Sequence, residues 1–209
     1  MDIKEYIEKP CRLLSIPYWK AQKMCTPQNM MIIHNNDFSP DLLLEYNDTE
    51  YYRLKHNLAD VNESKLLSGI SMNTITKNQY VDLVKLINYS YLHLGIRVDI
   101  EQVNKWTNTE VYEPDLWIAL FKKNKMLGAV IADYDKLTKE GIVEWLQVLP
   151  EFRGMGLASS VLNECLRRMQ GKADFATVSG QVNNITKPEK VYRKCGFTGD
   201  DIWHILTKK

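Results

Sequence analysis

The stretch Val148-Leu149-Pro150-Glu151-Phe152-Arg153-Gly154-Met155-Gly156-Leu157-Ala158 decides how this chain is read. An apolar-rich run over 142–149 predicts a strand that stops at Pro150. From Leu157 onward, Ala158, Val161, Leu162, Cys165, Leu166 and Met169 recur at i, i+3, i+4, i+7, i+8 and i+11, which predicts a helix over 157–169 closed by Gly171. Arg153 and two glycines fill the gap. Glycine lets the backbone approach a ligand closely, and a helix N-terminus offers unpaired N–H donors at its positive dipole end. Strand, glycine loop and helix together predict a phosphate or pyrophosphate site, with Arg153 adding a charge-assisted contact. A tight turn with no ligand is the alternative reading of Gly-x-Gly. No G-x-x-x-x-G-K-[ST] run is present, and Ser159 stands where the third glycine of G-x-G-x-x-G belongs, so neither phosphate motif applies.

Outward from this stretch the element types alternate. Toward the N-terminus, strands over 116–121, 126–134 and 142–149 form an antiparallel meander. Before them lie a strand over 69–76, a helix over 77–94 with Tyr80, Leu83, Val84, Ile87, Tyr91 and Leu94 near one face, and a short helix to Trp106 capped by Asp99. Toward the C-terminus, 175–182 reads as a strand. Thr186-Lys187-Pro188-Glu189 reads as a capping box that opens a helix ending at Gly196, and 197–206 supplies the last strand or strands. The first 66 residues read as irregular, with strand candidates over 30–34 and 51–58. The expected division is an extension over 1–66 and an α/β domain over 67–209, its mixed sheet flanked by helices.

Composition narrows the function classes. The chain has 209 residues, 44% hydrophobic and 25% charged, with 27 Lys+Arg against 26 Asp+Glu. A net charge of +1 excludes a nucleic-acid grip built on bulk positive charge, and no apolar run nears the ~20 residues of a membrane helix. The N-terminus has no signal-peptide pattern, and Cys11, Cys25, Cys165 and Cys195 show no C-x-x-C spacing, so reduced thiols in a cytoplasmic protein are expected. His34, His56, His93 and His204 show no metal-ligand spacing, and no metal is expected.

Arg153-Gly154-Met155-Gly156-Leu157-Ala158 resembles the R/Q-x-x-G-x-G/A signature of the GCN5-related N-acetyltransferase (GNAT) superfamily. Tyr192-Arg193-Lys194-Cys195-Gly196-Phe197 resembles its Y-x-x-x-G-F segment, and Asn183 and Asn184 precede it after a strand, much as an asparagine does in that family. The resemblance covers roughly residues 68–209. It implies a GNAT-like, mostly antiparallel central sheet flanked by helices, with residues 1–66 as an N-terminal extension. It also implies acetyl-CoA as co-substrate, with Arg153, Gly154, Met155, Gly156, Leu157 and Ala158 at the pyrophosphate and Asn183 and Asn184 among the CoA-binding residues. Pantetheine would lie along the edge of the 142–149 strand, and the N–H of Leu146 or Val148 would face the thioester oxygen. A primary amine, on a small molecule or a peptide, would attack directly in a ternary complex.

Tyr192 matches the position of the family's general acid. Glu144 is the candidate base, placed by strand alternation on one face with Ile142, Leu146 and Val148; a solvated or lysine-paired glutamate is the alternative, and a water chain could serve instead. Trp145 and Trp203 read either as core or as walls of an acceptor pocket, and His56 reads as structural. Another acyl group, a CoA-binding module without turnover, and a homodimer formed through residues 1–66 are the readings the sequence leaves open.

Overall fold

A computed structural model describes residues 1–209. It contains helices α1 (Ile3–Glu8), α2 (Pro10–Leu13), α3 (Tyr18–Lys23), α4 (Tyr80–Ser90), α5 (Ile100–Thr107), α6 (Leu157–Met169) and α7 (Pro188–Lys194). Its strands are β1 (Met30–His34), β2 (Tyr46–His56), β3 (Ile70–Thr74), β4 (Tyr112–Lys122), β5 (Lys125–Asp135), β6 (Glu140–Val148), β7 (Phe175–Gln181) and β8 (Thr198–Lys208). The class is the mixed α/β one expected, mostly antiparallel and flanked by helices. No helix is long and apolar enough to cross a membrane. Two compact units emerge: Met1–Asn57 with Thr177–Lys209, and Leu58–Ala176. They cut the chain elsewhere than the 66/67 boundary drawn from sequence, grouping its N-terminal residues with its C-terminal strand.

In the first unit β8 lies between β1 and β2, antiparallel to both, running from Met30↔Thr207 to His34↔Trp203 on one side and from Tyr46↔Lys208 to Lys55↔Thr198 on the other. Residues 1–23 are not irregular as expected but form α1, α2 and α3. These run 6, 4 and 6 residues, short of the ~7 of two helical turns, so no periodicity could announce them. What holds them is a buried Arg53, 1% exposed. Its guanidinium donates to Pro10 O (3.2 Å), Ser15 O (3.4 Å), the Tyr6 hydroxyl (3.0 Å), Thr177 Oγ1 (3.2 Å) and Ser179 Oγ (3.1 Å). Trp203 Nε1 adds a bond to Cys11 O (2.8 Å), which makes Trp203 a core residue.

The second unit carries the meander β6-β5-β4-β3. Directly paired residues share a face of a sheet. Ile118, Val130 and Leu146 therefore lie on one face with Leu120, Gly128 and Val148; Trp117, Ile131 and Trp145 lie on the other with Ala119, Ala129 and Gln147. The first face belongs to α6: a Cβ on Gly141, which pairs with Tyr134, would run into the sulfur of Met169. The second belongs to α4 and α5, since Trp117 sits 6.1 Å from the Tyr80 ring and 6.4 Å from the Trp106 ring.

Helix α6 matches its expected span, with Val161, Leu162, Cys165, Leu166 and Met169 fully buried. It also buries Ser160 and Asn163, because residues 58–66 lie along it. Ser160 Oγ donates to Lys65 O, Ser64 Oγ to Ser160 O (2.8 Å) and Gln170 Nε2 to Leu58 O (2.8 Å).

Two local expectations need correction. The helix expected over 77–94 is α4 flanked by 3-10 turns at Lys77–Gln79 and Leu92–Leu94, ended by left-handed Gly95. The capping box at Thr186 does not form. Asn184 Oδ1 takes both the Thr186 N–H (2.9 Å) and its hydroxyl (2.7 Å), and left-handed Lys187 becomes the cap residue of α7. An Asx turn competes for the same donors and wins.

Candidate active site

The glycine loop keeps its expected shape. A 3-10 turn, Pro150–Phe152, leads from β6 to Gly154 (φ 78°) and Gly156 (φ 79°), both left-handed, and α6 starts at Leu157. No atom lies within 4 Å of where a Cβ on either glycine would stand, so these positions need glycine for conformation and leave open space above the backbone. The first N–H groups of a helix lack intrahelical partners. Here the first turn closes with Ser160 N–H on Gly156 O (3.0 Å), and the N–H groups of Gly154, Met155, Gly156, Leu157 and Ala158 make none of the chain's backbone bonds outside the helix ladder. Five donors on an exposed bend at the start of a 13-residue helix have the arrangement that an anion cradle calls for.

Arg153 bonds backbone carbonyls of β6 and of α4. Its N–H donates to Pro150 O (3.2 Å). Its guanidinium donates from Nε to Val148 O (3.2 Å) and from Nη2 to Ser90 O (3.0 Å), tying the end of β6 to the C-terminal turn of α4. The cationic side chain lies where a helix C-terminus favours it. Arg153 thus joins β6 to α4 beside the glycine bend.

Strand β6 turns part of its backbone away from β5. Leu149 N–H bonds Leu127 O (2.8 Å), so residues 149 and 147 direct their peptide groups at β5 and the alternation turns those of Leu146 and Val148 away from it. Side chains meet the two outward carbonyls: the Tyr91 hydroxyl donates to Leu146 O (2.9 Å) and Arg153 Nε to Val148 O. Burial pushes the Tyr91 phenol up to about 12, against the smaller opposing pull of that hydrogen bond and of the Arg153 charge.

Glu144 sits on a β-bulge. Trp145 pairs with Ile131 and Val143 with Ala132, leaving Glu144 without an opposite residue. The bulge reverses the parity of the strand, so Ile142 (opposite Asp133) does not share a face with Leu146 and Val148 as simple alternation predicted. Glu144 is half-buried at this kink. Beside it, Trp145 forms an edge contact with Tyr91 (5.4 Å) and a tilted one with Trp106 (5.3 Å).

The second unit therefore assembles Glu144, Leu146, Val148 and residues 153–158 around one strand end. Asn183, Asn184 and Tyr192 belong to the other unit. Asn184 organises the turn before α7; Asn183 is exposed. Tyr192 is 6% exposed, its ring near Phe197 (5.8 Å) and Tyr52 (6.4 Å). Gly196 (φ 96°) keeps room for His56, whose Nε2 would be 2.7 Å from a Cβ there, and His56 is buried as a structural residue.

Sequence reasoning missed Ser90 and Gln147 at the site, and saw Tyr91 only as an apolar-face residue, because their positions depend on α4 lying over β6. It also gave no sign that Asp48, Glu50 and His204 converge, their ligating atoms within 4.8 Å of one another through the Glu50↔His204 pairing. Both nitrogens of His204 are engaged there, with Asp48 (2.8 Å) and Asn35 (3.1 Å), so the group acts as a polar tie between β2, β8 and the turn after β1.

Residues 113–199 match the model of the acetyltransferase (GNAT) domain. Among solved structures it resembles a GCN5-related N-acetyltransferase from Sphaerobacter thermophilus (TM-score 0.70, 15% identity, 90% of this chain and 63% of that one). It also resembles the ribosomal-protein-S18-alanine N-acetyltransferase of Escherichia coli (TM-score 0.54, 12% identity, 66% and 93%). A third likeness is to the PaiA N-acetyltransferase of Thermoplasma acidophilum in complex with coenzyme A (TM-score 0.52, 15% identity, 67% and 99%). At these identities the likeness is one of fold, and this chain spans less than two thirds of the Sphaerobacter protein. No curated protein matches the sequence.

Proposed function

We propose that the protein transfers an acetyl group from acetyl-CoA to a primary amine by direct attack in a ternary complex. The observation that carries this reading is the run of N–H groups over 154–158, standing directly after a strand whose Leu146 and Val148 N–H groups face away from β5. The residues fit the co-substrate: the donors of the bend and of the α6 N-terminus suit a pyrophosphate, and the backbone of Leu146 and Val148, turned away from β5, suits an extended amide-bearing arm. The GNAT domain match and the coenzyme A complex of the Thermoplasma protein support the same choice.

When bound, acetyl-CoA supplies the activated thioester. The chain's part is to position it and to stabilise charge on the acyl oxygen with the outward N–H of Leu146 or Val148. In this reading Glu144, half-buried at the bulge, takes the amine's proton as the base. Tyr192 has the phenol to protonate the departing thiolate, and Tyr192→Phe tests this: kcat falls with acetyl-CoA affinity unchanged.

Calorimetric titration with acetyl-CoA and with desulfo-CoA tests the reading as a whole. The wild-type protein binds both, and Gly154→Pro, which cannot adopt φ 78°, loses both. No binding by the wild-type protein would end the reading. Binding without thiol release for any amine would leave a CoA-binding module.

A further inference from the structure

The acceptor side of the site has its own chemistry, carried by the face of β6 that looks toward α4 and α5. Trp145 and Gln147 are two apart on this face, beyond the bulge at Glu144. Trp145 is half-exposed and meets half-exposed Trp106 and Tyr91, so three aromatic rings line one wall. One step along, Gln147 is 3% exposed, and neither its amide nitrogen nor its oxygen has a hydrogen-bond partner. The side chains in its row across the sheet are those of Ala129 and Ala119, which offer it no polar atom. Ser90, also 3% exposed with an unpartnered hydroxyl, is held at the same end of β6 by the Arg153 bridge from Ser90 O to Val148 O. A buried carboxamide without partners is costly, so a position that keeps one calls for a polar group from outside the chain.

We propose that this face, with Trp145 as its wall and Gln147 with Ser90 as its floor, recognises the acceptor and selects a primary amine carried on a flat aromatic body that bears a hydrogen-bonding group. The ammonium end lies toward the Glu144 carboxylate, the ring against Trp145 and Trp106, and the polar substituent at the Gln147 amide. An aliphatic polyamine leaves the wall and the floor unused. The proposal rests on the acetyl-transfer reading and adds the class of acceptor to it.

The test compares tyramine, phenethylamine and putrescine as acceptors, by thiol release at saturating acetyl-CoA and by direct calorimetric titration of each amine. Tyramine is expected to exceed putrescine at least tenfold in kcat/KM, and to exceed phenethylamine, which lacks only the hydroxyl. Trp145→Leu is expected to raise KM for both aromatic amines about tenfold and leave that for putrescine in place. Gln147→Leu, which replaces the amide by an apolar group of similar size, is expected to abolish the preference for tyramine over phenethylamine without lowering the midpoint of thermal unfolding. Equal kcat/KM for aromatic and aliphatic amines, or a Trp145→Leu enzyme with unchanged ratios, would overturn the proposal. A Gln147→Leu enzyme that keeps the tyramine preference would show that the amide meets only water and would overturn the floor. If acetyl-CoA fails to bind at all, the transferase reading falls, and the amine titrations still decide this one: tyramine binding that Trp145→Leu weakens keeps the surface as a ligand site, and no binding removes it.

Discussion

Single residues decide the shape of the glycine bend. Gly154 and Gly156 hold left-handed φ angles with nothing near the missing Cβ. A side chain at either position costs ~1–2 kcal/mol of backbone strain and no clash. Gly156→Ala is therefore expected to lower the midpoint of thermal unfolding by only ~2–8 °C, while its methyl group occupies the space a phosphate needs and weakens acetyl-CoA binding at least tenfold. Calorimetry and thermal melts read the two effects separately; an unweakened affinity would move the anion site elsewhere. Tyr91 makes a second prediction. Its phenol is raised to about 12, above the ordinary value near 10, so it stays neutral in the folded chain after it has ionised in the unfolded one. The stability it contributes is complete below pH 10 and is lost as pH rises from 10 toward 12. Tyr91→Phe is expected to flatten the alkaline decline of unfolding free energy across that window, measured by urea titration at several pH values; identical curves would put the burial of Tyr91 in question.

At the scale of elements, the junction of β6 with α4 is the point of control. The bulge at Glu144 re-aims the strand, and Arg153 locks its end by joining Val148 O to Ser90 O. A planar guanidinium can span two carbonyls at fixed geometry; an ammonium is a single point of attachment. Arg153→Lys is expected to lose one of the two bonds, at ~1 kcal/mol, and to speed hydrogen exchange at the end of α4 and at Leu149 while the exchange of α6 stays as it is. Unchanged exchange would mean that the tie carries no load. This element scale is also where sequence reading divides. Helix α6 was legible from its own periodicity because its apolar face is broad and its glycines stand at both ends. The bulge was illegible, since a one-residue slip in pairing is set by the partner strand and leaves no mark on alternation within β6.

Across the whole molecule, the N-terminal residues are bound into a unit with the last strand. Arg53 serves as the hub, donating from one buried guanidinium to Tyr6, Pro10 and Ser15 on the N-terminal side and to Thr177 and Ser179 on β7. Arg53→Met removes every one of those bonds and leaves buried acceptors unsatisfied, an expected loss of ~3 kcal/mol or more. Urea unfolding followed by tryptophan fluorescence measures it. Limited proteolysis of the variant is expected to cut first within residues 1–23; a resistant N-terminus would show that Trp203 and the buried Tyr6 hold it without Arg53.

What the sequence determined by itself was whatever depends on neighbours along the chain: the glycine bend, the span of α6, the Asp99 cap (Asp99 Oδ1 accepting from Gln102 N–H at 2.7 Å) and the succession of strands. Short-range periodicity and backbone conformation fix these locally. The tertiary structure decided the rest: that Arg153 binds carbonyls, that Ile142 and Leu146 part company across a bulge, and that Gln147 is buried without a partner. It also decided that residues 1–23 fold at all. Each depends on a residue distant in sequence, and a lone Arg53 in an alternating strand carries no sign of the helices it will hold.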